Sequence, residues 1–154
     1  MDAGYGGNDP ALMLNHWKFY LRAVTNAIID VAIHVEGMNE QGAMDLMVAG
    51  GFQEQDEARA KWLRARLTST QLSTYYLGSV GMWDLEVEAR KRAATAAGAD
   101  DYTVPAQRVV GGLGETPGFD HRRHLESVIS HGSPPIKWVR RILREAAERG
   151  GAVA

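Results

Sequence analysis

The feature that most narrows the fold is an unbroken stretch from Pro10 to Val35 in which nothing interrupts a helix. Asn8 and Asp9 offer N-cap oxygens, Pro10 suits the first helical position because its missing N–H loses no partner there, and Gly37 supplies a stop. A helix of that span is roughly 40 Å long, enough to cross a domain of this size. Its C-terminal half (Ala27, Ile28, Ile29, Val31, Ala32, Ile33, Val35) leaves hardly any face polar, which predicts enclosure on most sides. Along this rod runs one polar ladder of Arg22, Asn26, Asp30 and His34 at steps of four residues. Asp30 and His34 become direct neighbours, and a buried ionisable pair requires partners. The ladder is either an internal network, in which Asp30 holds His34 and Arg22, or one wall of a polar cleft. The opposite stripe (Met13, Trp17, Tyr20, Val24, Ile28, Val31) keeps the helical period and is expected to be core. His16 lies beside it, and the default for such a histidine is partial burial on a backbone carbonyl.

The rest of the chain also reads as helices. Asn39 caps a short one from Glu40 to Ala49, with Ala43, Leu46 and Met47 inward. A third, from Gln53 to Leu67, presents Ala58, Trp62 and Ala65 to the core and pairs Glu57 with Lys61 on the wet side. A fourth, from Thr70 to Ala97, is apolar or small between Leu72 and Leu85 and charged beyond Asp84, with Glu86/Arg90 and Glu88/Arg92 in the favourable order. That pattern predicts a buried first half and a wet second half. Gly78 and Gly81 each cost this helix about 1 kcal/mol relative to alanine, a cost usually offset by close approach of a backbone or a ligand. Met1 to Asn8 and the long stretch 99–118 read as loops. Asp120 starts a fifth helix to His131, with Leu125, Val128 and Ile129 inward. Ser133 caps a sixth, with Ile136, Val139, Ile142, Leu143 and Ala146 inward. The fold class is all-α: an orthogonal bundle of about six helices, the first and fourth long and central, in a single helical domain over residues 1–154.

The charge balance, 17 Lys+Arg against 19 Asp+Glu, gives no case for nucleic acid or an anionic membrane. The absence of cysteine excludes disulfides and thiolate metal sites. With no signal peptide and no apolar run long enough to span a bilayer, the chain reads as cytoplasmic. His121 and His124, three apart beside Asp120, could both turn to one ion, but two ligands do not make a site, and Arg122 and Arg123 disfavour a cation. The zinc-peptidase motif His-Glu-x-x-His, a Gly-x-Ser-x-Gly elbow and a cysteine nucleophile are all missing, so the chain is incomplete as a self-contained enzyme. Tyr75 and Tyr76 precede the glycine-bearing segment and are either core residues with satisfied hydroxyls or donors to an oxyanion.

Four stretches carry a family resemblance: Ile-Ile-Asp-Val-Ala-Ile-His (28–34), Met-Asn-Glu-Gln-Gly-Ala (38–43), Thr-Gln-Leu-Ser-Thr-Tyr-Tyr-Leu-Gly (70–78) and Ser-His-Gly-Ser-Pro-Pro-Ile (130–136). In this order the chain resembles the C-terminal part of the bacterial family labelled domain of unknown function 885, whose members look like α-helical zinc peptidases of the gluzincin type. The resemblance implies that Asp30, His34 and Tyr75 line the active cleft. Tyr75 would be the oxyanion donor and His34 a substrate-binding or transition-state donor, with Arg22, Arg64 and Tyr76 as further substrate-binding residues. It implies zinc in the parent but no cofactor in this chain. The partners it implies are a metal-binding N-terminal half or a peptide substrate. The departures are the absent metal motif, Asn26 where an arginine is common, Ser69 where a proline is common, and His124-Leu125 for a displaced Phe-His pair. The alternative is a non-catalytic helical module for protein interaction or homodimerisation, motivated by apolar faces too numerous for one small bundle.

Overall fold

The computed structural model describes residues 9–99, 103 and 114–150, and every regular element among them is helical. The all-α class is therefore what the chain adopts. The elements are α1 (Pro10–Val35), α2 (Glu40–Met44), a π-helical segment (Asp45–Gly50), α3 (Gln55–Leu67), α4 (Thr74–Ala96), α5 (His121–Ile129) and α6 (Ile136–Glu148). The N-terminal loop expected over 1–8 and most of the loop expected over 99–118 lie outside the described residues. Three N-caps form where short polar side chains allow them. Asp9, Asn39 and Asp120 each accept from a backbone N–H of the following turn at 2.9 Å.

The chain divides into two compact units, one ending at Ser79 and the other running from Val80 onward, so α4 starts in the first and continues through the second. The first unit is built around Ile29, Met47, Trp62 and Leu72 with the small residues Ala43, Ala58 and Ala65. Alanines at those positions let α3 lie close against both α1 and α2. The second unit centres on Leu85, Val128, Val139 and Leu143, with Met82 and Ile136 packed against them.

Several expected orientations are reversed. In α1 the enclosed residues are Thr25, Ile29, Asp30 and Ala32, while Ile28 and Val31 of the supposed core stripe are exposed, Val31 by 52%. The buried face is thus the one carrying the polar ladder, because its polar groups find partners on α3 and the turn before α4. His16 is exposed and meets the edge of Trp17 rather than a buried carbonyl. Lys61, expected on the wet side of α3, is only 11% exposed in its side chain. In α4 the apolar first half is open, with Tyr75 and Leu77 exposed, and the charged half is enclosed, with Leu85, Ala89, Arg90, Ala93 and Ala94 buried. In α5 Leu125 and Ile129 are exposed and His124 is buried beside Val128. Glu88 pairs with Arg140 and Arg144 of α6. The glycines of α4 also differ. A Cβ on Gly81 would stand 2.7 Å from Ile136 Cδ1, so α6 approaches there, whereas beside Gly78 there is open space.

Candidate functional site

The polar ladder of α1 fastens the turn that leads into α4. Asp30, 3% exposed, accepts the backbone N–H groups of Thr70 and Ser73, each at 3.1 Å. Two backbone donors therefore compensate the burial of this carboxylate. Thr70 adopts a left-handed φ of 65°, costly for a β-branched residue, and its N–H to Asp30 holds it there. One helical turn further on, His34 Nε2 lies 2.9 Å from the Ala65 carbonyl and 3.3 Å from that of Thr68, at the end of α3. Asp30 and His34 approach to 3.8 Å, as the spacing predicts. Arg22 pairs with Glu57, and Arg64 donates to Gln71. Asn26 keeps a buried Oδ1 without a hydrogen-bond donor.

Behind this face Gln53, buried, donates to Thr25 at 2.8 Å and accepts from Lys61 Nζ at 2.7 Å. Burial, reinforced by the Arg22 and Arg64 charges, pushes the Lys61 amine down to about 8. Glu57, 3.5 Å away, is its nearest carboxylate partner.

On the other flank of α1, an open apolar groove of about 470 Å³ runs between Val24, Ile28 and Val31 on one side and Tyr76 and Leu77 at the start of α4 on the other. Ser73 joins it to the Asp30 anchor, and Glu36 is the charged residue lining it. The Tyr76 ring meets Tyr20 edge-on at 6.3 Å. Tyr75 is 77% exposed and is not part of this lining, nor are Asp30 and His34. The candidates thus fall into separate groups: Asp30 and His34 bonded to backbone, Arg22 and Arg64 engaged with α3 or Gln71, Tyr75 on open surface and the half-buried Tyr76 in the groove wall.

The second unit holds a polar cage around Arg90, which the sequence pattern alone places on a wet face. Arg90, 5% exposed, stacks on Phe119 at 4.3 Å, bonds Glu86, and donates to the Gly114 carbonyl and Thr116 hydroxyl at 2.7 Å. His121 Nδ1 lies 3.4 Å from the same Glu86. His124 sits under Phe119 with a buried Nε2 lacking a hydrogen-bond partner, and burial holds its pKa below the usual histidine value despite the Glu86 charge. The Glu86/Arg90 spacing was visible in the sequence, but nothing marked Phe119 as the lid over it. Among the described residues, no three His, Cys, Asp or Glu side chains gather so as to hold a metal ion.

The fold is all-helical, and its first unit carries a long helix with a polar face turned inward and an apolar groove left open. Residues 1–143 match the family described as "Bacterial protein of unknown function (DUF885)", and the chain belongs to that family. It is also similar to the solved structure of "a putative lipoprotein of unknown function" from Shewanella oneidensis, with a TM-score of 0.70 and 34% identity over 91% of this chain. The chain spans 22% of that neighbour's length. Comparison with curated proteins gives no match. No helix among the described residues is long and apolar enough to cross a membrane.

Proposed function

We propose that this chain is a structural segment of a zinc-peptidase-like protein, corresponding to its C-terminal region, and that it presents Tyr75 to the substrate cleft. The observation that carries the reading is the Asp30 anchor. A buried carboxylate bound to the Thr70 and Ser73 amides fixes the entry to α4, so that the exposed Tyr75 follows from a rigid turn. A phenol held this way suits donation of a hydrogen bond to the oxyanion that forms when a peptide carbonyl is attacked. Asp30 and His34 act in this reading as positioning residues, since both already bond backbone groups of the α3–α4 connection. Arg22, Arg64 and Tyr76 complete the substrate-binding set in this reading, the two arginines exchanging Glu57 and Gln71 for substrate. Among the described residues no three His, Cys, Asp or Glu side chains gather as a metal-binding group, and no step through zinc is assigned to this chain. A cytoplasmic location is part of this proposal, and cell fractionation tests it against the membrane attachment that a neighbour described as a putative lipoprotein raises.

The test has two arms. Purified with zinc, the isolated chain should hydrolyse no peptide; robust turnover would defeat the reading. In the longer Shewanella neighbour, once a peptide substrate has been identified for it, replacing the residue that matches Tyr75 by phenylalanine should lower kcat by about 10²–10³-fold with KM little changed. An unchanged kcat would remove Tyr75 from the chemistry. The second reading, a helical interaction module, is favoured by a separate observation: the open apolar groove along α1.

A further inference from the structure

The groove beside α1 is unusual in being apolar on a face where helix periodicity alone would place core. Ile28, Val31 and Leu77 are exposed to between 44% and 60%, and Val35 beyond them to 78%. Scattered single apolar residues need no explanation, but Ile28, Val31 and Leu77 together line a concave space of about 470 Å³. The residues from Val24 to Val35 follow one another at three- and four-residue steps, and their combined length is roughly 16 Å, about three helical turns. That is the shape taken by an apolar-faced helix lying in a groove, with anchors at i, i+3 or i+4, and i+7.

The size of the related structure indicates what fills it. The neighbour matches 91% of this chain, yet only 22% of its own length is accounted for by the match. Most of that protein therefore lies outside the matched segment, and an occupant of the groove can come from there. We propose that the groove between α1 and the start of α4 seats one apolar-faced helix from the portion of larger family members that lies outside this segment. Glu36, the charged residue of the lining, sits at one end. The seated helix carries a lysine or arginine, or its own N-terminus, opposite that carboxylate. Tyr76, braced by Tyr20, forms the rigid wall against which the helix packs. The inference rests on reading the chain as one segment of a larger protein, but not on any peptidase chemistry.

The chain has no cysteine, so a single introduced thiol reports on one place. Val31→Cys and Leu77→Cys are made in the isolated chain and in a chimaera in which this chain replaces the matching segment of the Shewanella neighbour. Site-resolved maleimide labelling should be fast in the isolated chain and roughly tenfold or more slower in the chimaera. Equal rates in both would overturn the proposal. So would protection in the isolated chain that grows with protein concentration, because the occupant would then be a second copy. If the chimaera does not fold, the same measurement on the neighbour itself, at the residue matching Val31, decides the matter: slow labelling supports the seated helix and fast labelling refutes it. Because labelling does not depend on turnover, protection together with an unchanged kcat in the phenylalanine variant at the Tyr75 position would sustain this inference while removing the functional reading above.

Discussion

At the scale of single residues, the decisive group is the Asp30 carboxylate. It is buried, and both of its oxygens accept from backbone N–H groups that have no place in a helix. Replacing it by alanine leaves the Thr70 and Ser73 donors unpaired and should cost about 2–3 kcal/mol. Asparagine keeps one acceptor oxygen and should cost roughly half as much. Urea denaturation followed by circular dichroism measures both. The same turn stores strain at Thr70, whose φ of 65° suits asparagine or glycine better than a β-branched residue. Thr70→Asn, which keeps the backbone N–H for Asp30, should therefore raise stability by about 0.5–1 kcal/mol. A loss of stability in that variant would mean that the threonine side chain contributes more than its backbone costs.

At the scale of elements, α4 separates two glycines that look alike in the sequence. Gly78 has open space where a side chain would stand, so Gly78→Ala should stabilise the helix by about 0.5–1 kcal/mol through propensity alone. At Gly81 the added methyl meets Ile136 Cδ1 at 2.7 Å and Cγ2 at 3.1 Å, so Gly81→Ala should gain nothing or lose stability, and Ile136→Val should partly restore it. Thermal unfolding of the three variants tests the contrast. The helices themselves were legible because caps and breakers act locally: Asp9, Asn39 and Asp120 sit where the chain says they should. Ala58, Trp62 and Ala65 point inward as their spacing indicates. Which face of α1 and which half of α4 are enclosed was not legible, because that depends on partners distant in sequence. Asp30 is buried because the turn at Thr70–Ser73 comes to it, and Arg90 because Phe119 and Thr116 cover it. Of the site candidates, the sequence supplied the Asp30–His34 proximity, but not the partners that occupy them or the groove beside them.

At the scale of the whole molecule, two depressed bases make stability rise with pH in two separate windows, one in each unit. Lys61 in the first unit falls from 10.5 to about 8 on folding. Its unfavourable contribution is complete below pH 8 and is relieved as the pH rises from there toward 10.5, where the unfolded chain still holds the proton. His124 in the second unit is held below its ordinary 6.5 by burial. The stability it supports is intact above pH 6.5 and declines as the pH falls toward its lowered value. Chemical denaturation across pH, read by hydrogen exchange within each unit, should place the acid-sensitive loss in α5 and its surroundings and the alkaline gain in α1–α3. His124→Gln should flatten the acid limb. Arg22→Gln should move the Lys61 titration upward, which amine labelling against pH reads directly.

The π-helical segment at Asp45–Gly50 widens the backbone spiral for six residues before α3 begins. A wider coil accommodates one more residue per turn than its α neighbours, so this is the place where chain length is negotiable. Removing one residue there should let the coil tighten into α geometry while everything downstream keeps its registration, whereas the same deletion inside α3 would swing Trp62 out of the interior. Relatives that differ by a single residue in this region would then share an otherwise superimposable framework.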